Sequence, residues 1–348
     1  MKRSLIFILS IIFSIVLCSQ VKAEVAGDCV DCHTMHNSQG GAEMADYGPS
    51  SGVNPCLTRG DCIGCHAYDT TGASIQTIGV SVVPQVWHNG TDLAAGNFRY
   101  IASDANDRKG HNVAAIDSEG TAAMFATNGA PGAESALSIT AANFSCAGKY
   151  GCHGDRTITD ETASIKDAHH TDDSTIDGNS TGTSYRFLKG VLGLENTNTA
   201  WRNVSSTDHN EYKGVDGPGT TSSTTTPANG TISGLCGECH GYYHGTAATE
   251  TGGTSSPWLR HPTDFSLPSS GEYTNYTTYS IVTPVARTNV SAVSSTVNPG
   301  GTTDDIVMCL SCHGAHATNY YKLMRWDYAN SSLLTALTGC AVCHASKN

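Results

Sequence analysis

Apolar and polar positions along this chain settle into a regular period in few places. Alternation runs from Ile75 to Val86 and predicts a strand, and a short strand is expected through Tyr279 to Val285. Helical spacing is weak except over Tyr320 to Leu337, which takes in Met324 and Trp326. Between these lie runs rich in Gly, Ser and Thr, such as Thr220 to Thr226 and Ala247 to Ser256, that read as surface loops. The Thr/Ser cluster before Pro227 also fits O-linked sugar. No repeat and no domain boundary stands out beyond a set of short motifs. The expectation is a mostly irregular, coil-like backbone with few short helices and strands.

One apolar stretch differs, at the start. Lys2 and Arg3 precede Leu5 to Leu17, and Val21-Lys22-Ala23 offers a cleavage site, so residues 1–23 read as a secretory signal peptide. Residues 24–348 are expected to form one domain. The run is short for a membrane span, and no later segment resembles a transmembrane one. Cys18 follows a bulky Leu17, which disfavours a lipoprotein anchor.

Composition sharpens the picture. Only 39% of residues are hydrophobic and 7% aromatic, too few to build a good core at this length. The chain carries a net charge of −12, and loss of the leader, with its three cations and no acid, makes it more negative. That balance argues against nucleic acid and anionic membrane surfaces as partners.

The motifs supply what the core lacks. Cys29-Val30-Asp31-Cys32-His33, Cys62-Ile63-Gly64-Cys65-His66, Cys236-Gly237-Glu238-Cys239-His240, Cys309-Leu310-Ser311-Cys312-His313 and Cys340-Ala341-Val342-Cys343-His344 each have the pattern that attaches a c-type haem. Two thiols bond the haem vinyls and the next His ligates iron. Zinc knuckles or disulfides would not demand a His after every second Cys. Cys146-Ala147-Gly148-Lys149-Tyr150-Gly151-Cys152-His153 keeps the Cys-His ending with five residues between its cysteines. Gly148 and Gly151 give such a loop room to bulge. It reads as a sixth site, against the plain alternative of a Cys146–Cys152 disulfide loop. Six c-type haems, each a broad apolar body, would organise the fold, and the chain is not expected to fold without them. Cys56 is left over, as a capped or buried thiol or as a competitor of Cys62 for a vinyl.

Histidine bookkeeping bears on function. Of 15 histidines, His33, His66, His153, His240, His313 and His344 are the proximal ligands. Nine others can close six irons on the distal side: His36, His88, His111, His169, His170, His209, His244, His261 and His316. Closed irons transfer electrons and bind no substrate, which argues against an enzyme such as a multihaem reductase. His36, His244 and His316 follow their own motif His too closely to wrap round the same porphyrin, so each serves another iron or none. The expected distal set is His36, His111, His261 and His316, then His88 and one of His169 or His170. The other member of that pair is expected on a propionate or in solvent, His209 as structural or free, and His244 in reserve.

Cys29 to Ser38 with Gly40-Gly41, Lys109-Gly110-His111-Asn112, Leu259-Arg260-His261-Pro262, Cys309 to His313 with Ala315-His316-Ala317, and Cys340 to His344 together resemble the nanowire-forming hexahaem c-type cytochromes of metal-reducing bacteria. The six sites fall in the same order, so the likeness spans the chain after its leader. The loops differ, the chain is shorter, and the third site departs most, with five residues between cysteines where the family has two. The resemblance implies haems stacked in alternating parallel and T-shaped pairs along a filament. It also implies that His36 ligates the iron held by Cys309, Cys312 and His313 in a neighbouring protomer, making assembly head-to-tail and open-ended.

The function expected is extracellular electron transfer by a conductive homopolymer at the outer cell surface. Its partners would be other cytochromes or extracellular acceptors such as metal oxides. The alternative is a non-polymerising periplasmic or cell-surface shuttle, in which His36 finds an iron within its own chain.

Overall fold

A computed structural model describes residues 25–45, 53–67, 72–102, 108–116, 130–132, 138–196, 201–217, 227–243, 261, 263–300 and 304–345. The leader, His244 and the Thr220–Thr226 and Ala247–Ser256 runs lie outside them.

Regular structure is sparse, as the weak periodicity predicts. Among the described residues the strands form small antiparallel sheets. β1 (Ser38–Gln39) pairs with β2 (Ala42–Glu43), β3 (Ile75–Ile78) with β4 (Ser81–Pro84), and β5 (Gly193–Leu194) with β6 (Glu211–Tyr212). A three-stranded sheet has the order β7-β9-β8, from Phe265–Ser266, Asp304–Val307 and Ala286–Arg287. The alternating stretch from Ile75 is thus a hairpin rather than one strand, folded so that Ile78 faces Ser81 across the turn.

Among the described residues the α-helices are at most two turns long: α1 (Cys29–Cys32), α2 (Cys62–His66), α3 (Glu161–Ser164), α4 (Ile232–Gly237), α5 (Leu333–Ala336) and α6 (Cys340–Cys343). Four of them contain motif cysteines. The reason is local: the motif His N–H donates to the first Cys carbonyl, at 2.8 Å for His33 and His344 and 2.9 Å for His240, which closes one helical turn. Side-chain caps hold two of these starts, Asp61 accepting from Gly64 N–H and Thr231 from Gly234 N–H, both at 2.9 Å.

Two expectations need correction. Tyr320 to Leu337 is not a helix: it holds a 3-10 turn at Tyr321–Leu323 and the short α5. Lys322 and Leu323 both have φ near 57°, which no right-handed helix admits. Tyr279 to Val285 is not a strand either. The Ser280 hydroxyl accepts from Val282 N–H, and Ser280 N–H donates to the Tyr276 hydroxyl, which bends the chain before β8.

Apolar side chains gather into separate clusters rather than one core. The largest, around Tyr185, Val191, Ile232, Ile306 and Met308, backs α4 and the three-stranded sheet. A second holds Ile63, Trp87, Phe98, Ile101 and Ala317, and a third Leu267, Tyr276, Tyr279, Val285 and Val297. A buried ionic group ties the sheets: Arg287 meets Glu211 at 3.0 Å and Asp305 at 2.6 Å. Among the described residues no helix is long and apolar enough to cross a membrane.

Candidate functional site

Between the clusters runs a cavity of about 3160 Å³, lined by residues of all six Cys-His motifs. Ordinary ligand pockets are about 300–1,000 Å³, so this space holds several large groups rather than one.

Each motif histidine is held in one tautomer. The Nδ1 of His33, His66, His153, His240 and His313 meets the carbonyl of Cys56, Pro84, Arg186, Pro131 and Lys322 respectively, at 2.6–3.0 Å. His344 Nδ1 meets the Glu272 carboxylate at 2.8 Å. A proton fixed on Nδ1 leaves the Nε2 lone pair free, the form that ligates a metal. Burial lowers the pKa of His66, His153, His240 and His313, which keeps these rings neutral.

Five of the six face a second imidazole. Ring centroids are 6.2 Å apart for His33 and His170, 6.3 Å for His66 and His169, and 6.2 Å for His153 and His316. They are 6.1 Å apart for both His240 with His111 and His344 with His261. Rings in contact lie much closer, as His209 does on Tyr279 at 3.6 Å. Two metal–imidazole bonds of about 2.0–2.1 Å plus two ring radii of about 1.1 Å span roughly 6.3 Å, so the residues fit an iron between each pair. Burial pushes His316 down to about 3 and His111 and His169 to about 4, so these three facing rings are neutral too.

The pairs join distant parts of the chain. His169 and His170 sit on one 3-10 turn, Ala168–His170, and turn to different motifs. His111 and His316 are placed together by three extended segments. Asn97 N–H donates to Ala317 O, His316 N–H to Ala95 O, and His111 N–H to His316 O, at 2.8–2.9 Å. Gly110 lies in this layer, where a Cβ would come within 2.5 Å of the Ala317 methyl and of Ile101. Gly110→Val is therefore expected to spread the layer and disturb two irons at once. Low-spin ferric signals counted by EPR would fall by two relative to the parent; an unchanged count would refute the linkage.

The structure separates other candidates from the motifs. His88 is fully buried, with Nδ1 accepting from Gly90 N–H at 2.9 Å and Nε2 3.1 Å from the Asn97 amide. His88 makes no ring contact with a motif histidine among the described residues, so the expectation of it as a distal ligand gives way to a structural role. Both members of the His169/His170 pair face a motif imidazole instead. His209 is likewise buried, bonded to Ser205 O and to Glu211. Among the described residues His313 faces no second imidazole, and exposed His36 makes no hydrogen bond, ion pair or ring contact.

At the third site, His153 N–H donates to Cys146 O at 3.0 Å, the same bond the shorter motifs make. The extra residues loop out as a 3-10 turn, Gly148–Tyr150, with Gly148 at φ 76°. The Cys-His end therefore keeps its ordinary geometry. Cys146 and Cys152 are both free thiols, and no described cysteine is in a disulfide. Nor does any group of three His, Cys, Asp or Glu converge as a zinc knuckle would need, among the described residues. Burial pushes the Cys239, Cys312 and Cys343 thiols up to about 12.

Successive motifs are clamped together. Glu161 accepts from Cys146 N–H at 2.9 Å and from the Cys62 thiol at 3.8 Å, joining sites two and three. Arg156, just after His153, makes a buried pair with Glu238 of the fourth motif at 2.8 Å. The Ser233 hydroxyl on α4 accepts from Cys309 N–H at 3.2 Å, joining sites four and five.

Paired cysteines, tautomer-locked histidines and facing imidazoles define a multihaem c-type cytochrome. No family model matches the chain. It is similar to C-type cytochrome OmcS of Geobacter sulfurreducens, with 25% identity over 358 residues that cover 87% of this chain and 79% of the relative. Two solved structures of the same organism's protein, described as OmcS nanowires and as an Outer Membrane Cytochrome S filament, overlay with a TM-score of 0.47 and 18% identity. Each alignment covers 93% of this chain and 99% of the other.

Proposed function

We propose that the chain is an extracellular electron carrier, with six c-type haems in one domain over residues 24–348, that polymerises head-to-tail into a filament. The haem irons would supply one-electron redox chemistry, and the protein holds them in series. Residues 1–23 would direct export. The observation that carries the reading is the remainder: among the described residues, five facing imidazole pairs leave His313 without a second imidazole and His36 without a facing ring. Joining the two across an interface closes all six irons. The proposed ligand pairs are His33–His170, His66–His169, His153–His316, His240–His111 and His344–His261 within the chain, and His313 with the neighbour's His36.

The surroundings of both leftovers suit an interface. His36 stands at the base of the Ser38–Glu43 hairpin, beside Met35 at 64% exposure. Beyond His313, Tyr321, Tyr328, Leu333 and Leu334 are exposed, the last two at 71% and 75%. A contact from His36 of one protomer to His313 of the next joins two different surfaces, which makes it heterologous and non-closing. The relative's filament structures support the same reading.

Electron microscopy of the haem-loaded protein, with haem counted on the same sample, tests this. Thin uniform filaments with six haems per chain are expected. Discrete particles at every concentration would replace the filament with a soluble shuttle, and five haems would remove the third site.

A further inference from the structure

Five motif histidines give their Nδ1 proton to a neutral backbone carbonyl, whereas His344 gives it to a carboxylate. Glu272 lies on the 3-10 turn Gly271–Asn275, and its Oε1 is 2.8 Å from His344 Nδ1. The side chain is mostly shielded, at 13% exposure, and Tyr273 from the same turn meets the His344 ring edge-on at 5.1 Å. We propose that Glu272 is a potential-setting residue, making the haem held by Cys340, Cys343 and His344 harder to reduce than its five counterparts.

A carbonyl and a carboxylate accept the same hydrogen, but the carboxylate adds a full negative charge to the bond. The imidazole then carries more electron density on Nε2 and donates more strongly to a metal. Stronger donation stabilises Fe(III) relative to Fe(II); the couple is a one-electron exchange in which no bond breaks and no proton need leave. Shielding from water keeps the charge effective at this distance. Hydrogen bonding outside the ligand shell is one of the few levers a protein has on a bis-histidine haem, and here it is applied at one site of six. Electrons placed on the chain would avoid the C-terminal site unless delivered by a strong donor, giving the wire a built-in high-energy step.

The inference rests on the haem reading of Cys340 to His344, so peptide mass of that segment from the parent protein is measured first. Absence of haem there would defeat the reading itself. Spectroelectrochemical titration then compares the haem-loaded parent with Glu272→Gln and Glu272→Asp. In the Gln variant one couple is expected to rise so that its reduced fraction at fixed potential grows about tenfold, about 59 mV for one electron. The Asp variant, which keeps the charge, should stay nearer the parent. One low-spin ferric EPR signal should change its g-spread in the Gln variant alone. Titrations of Gln and parent that superimpose at full haem content would overturn the proposal. So would a Gln variant short of one haem, because Glu272 would then be retaining haem rather than setting its potential.

Discussion

His36→Ala is expected to abolish filaments while leaving every haem attached. His36 is exposed and makes no hydrogen bond, ion pair or ring contact among the described residues, so removing its ring costs the fold little. Its loss would fall on the neighbour's iron at His313, the one motif histidine with no facing imidazole among the described residues. That iron should become five-coordinate or take water, seen as one high-spin ferric signal per chain beside five low-spin ones. The concentration needed for assembly should rise at least a hundredfold, roughly 3 kcal/mol. Added imidazole should restore the low-spin spectrum without restoring filaments, because a free ligand closes the iron but bridges nothing. Filaments of normal length from this variant would sink the bridging role of His36. An altered signal at a second iron would place His36 inside its own chain.

The motifs were legible because thioether chemistry fixes cysteines and histidine within a few residues. The strand character of Ile75 to Val86 is legible for a similar reason, since period two is a local property, but the turn that folds it into a hairpin is not. Distal ligands are another matter. His33 meets His170, and His344 meets His261, through contacts that no window of sequence contains. The adjacent His169 and His170 were expected to share one role between them. A tight turn sends neighbouring side chains to different faces, and that adjacency was the available clue to two ligands. His88 misled because its Trp87-His88-Asn89 setting resembles a ligand site, while the amide that engages its ring comes from Asn97. Glu272 carries no sequence signal at all. Its role comes from a turn that lays a carboxylate on His344, 72 positions away.

The remaining inference concerns the haem itself as part of the fold. Expressed without the machinery that attaches haem, the chain is expected to stay unfolded, with coil-like circular dichroism, no cooperative thermal transition and rapid proteolysis. Its three apolar clusters are small and separate, and they face one another across the cavity of about 3160 Å³. Without a large apolar group between them, the clusters leave their facing surfaces to water and gain little from burial. The segments linking them are held largely by single backbone bonds and short turns. Filling the space with porphyrin turns cavity wall into packed surface and adds covalent ties at each motif. Stability and conduction would then share one cause, since the groups that carry electrons also hold the segments together. A cooperative unfolding transition in the haem-free chain would show that the polypeptide has a sufficient core of its own and would separate the two roles.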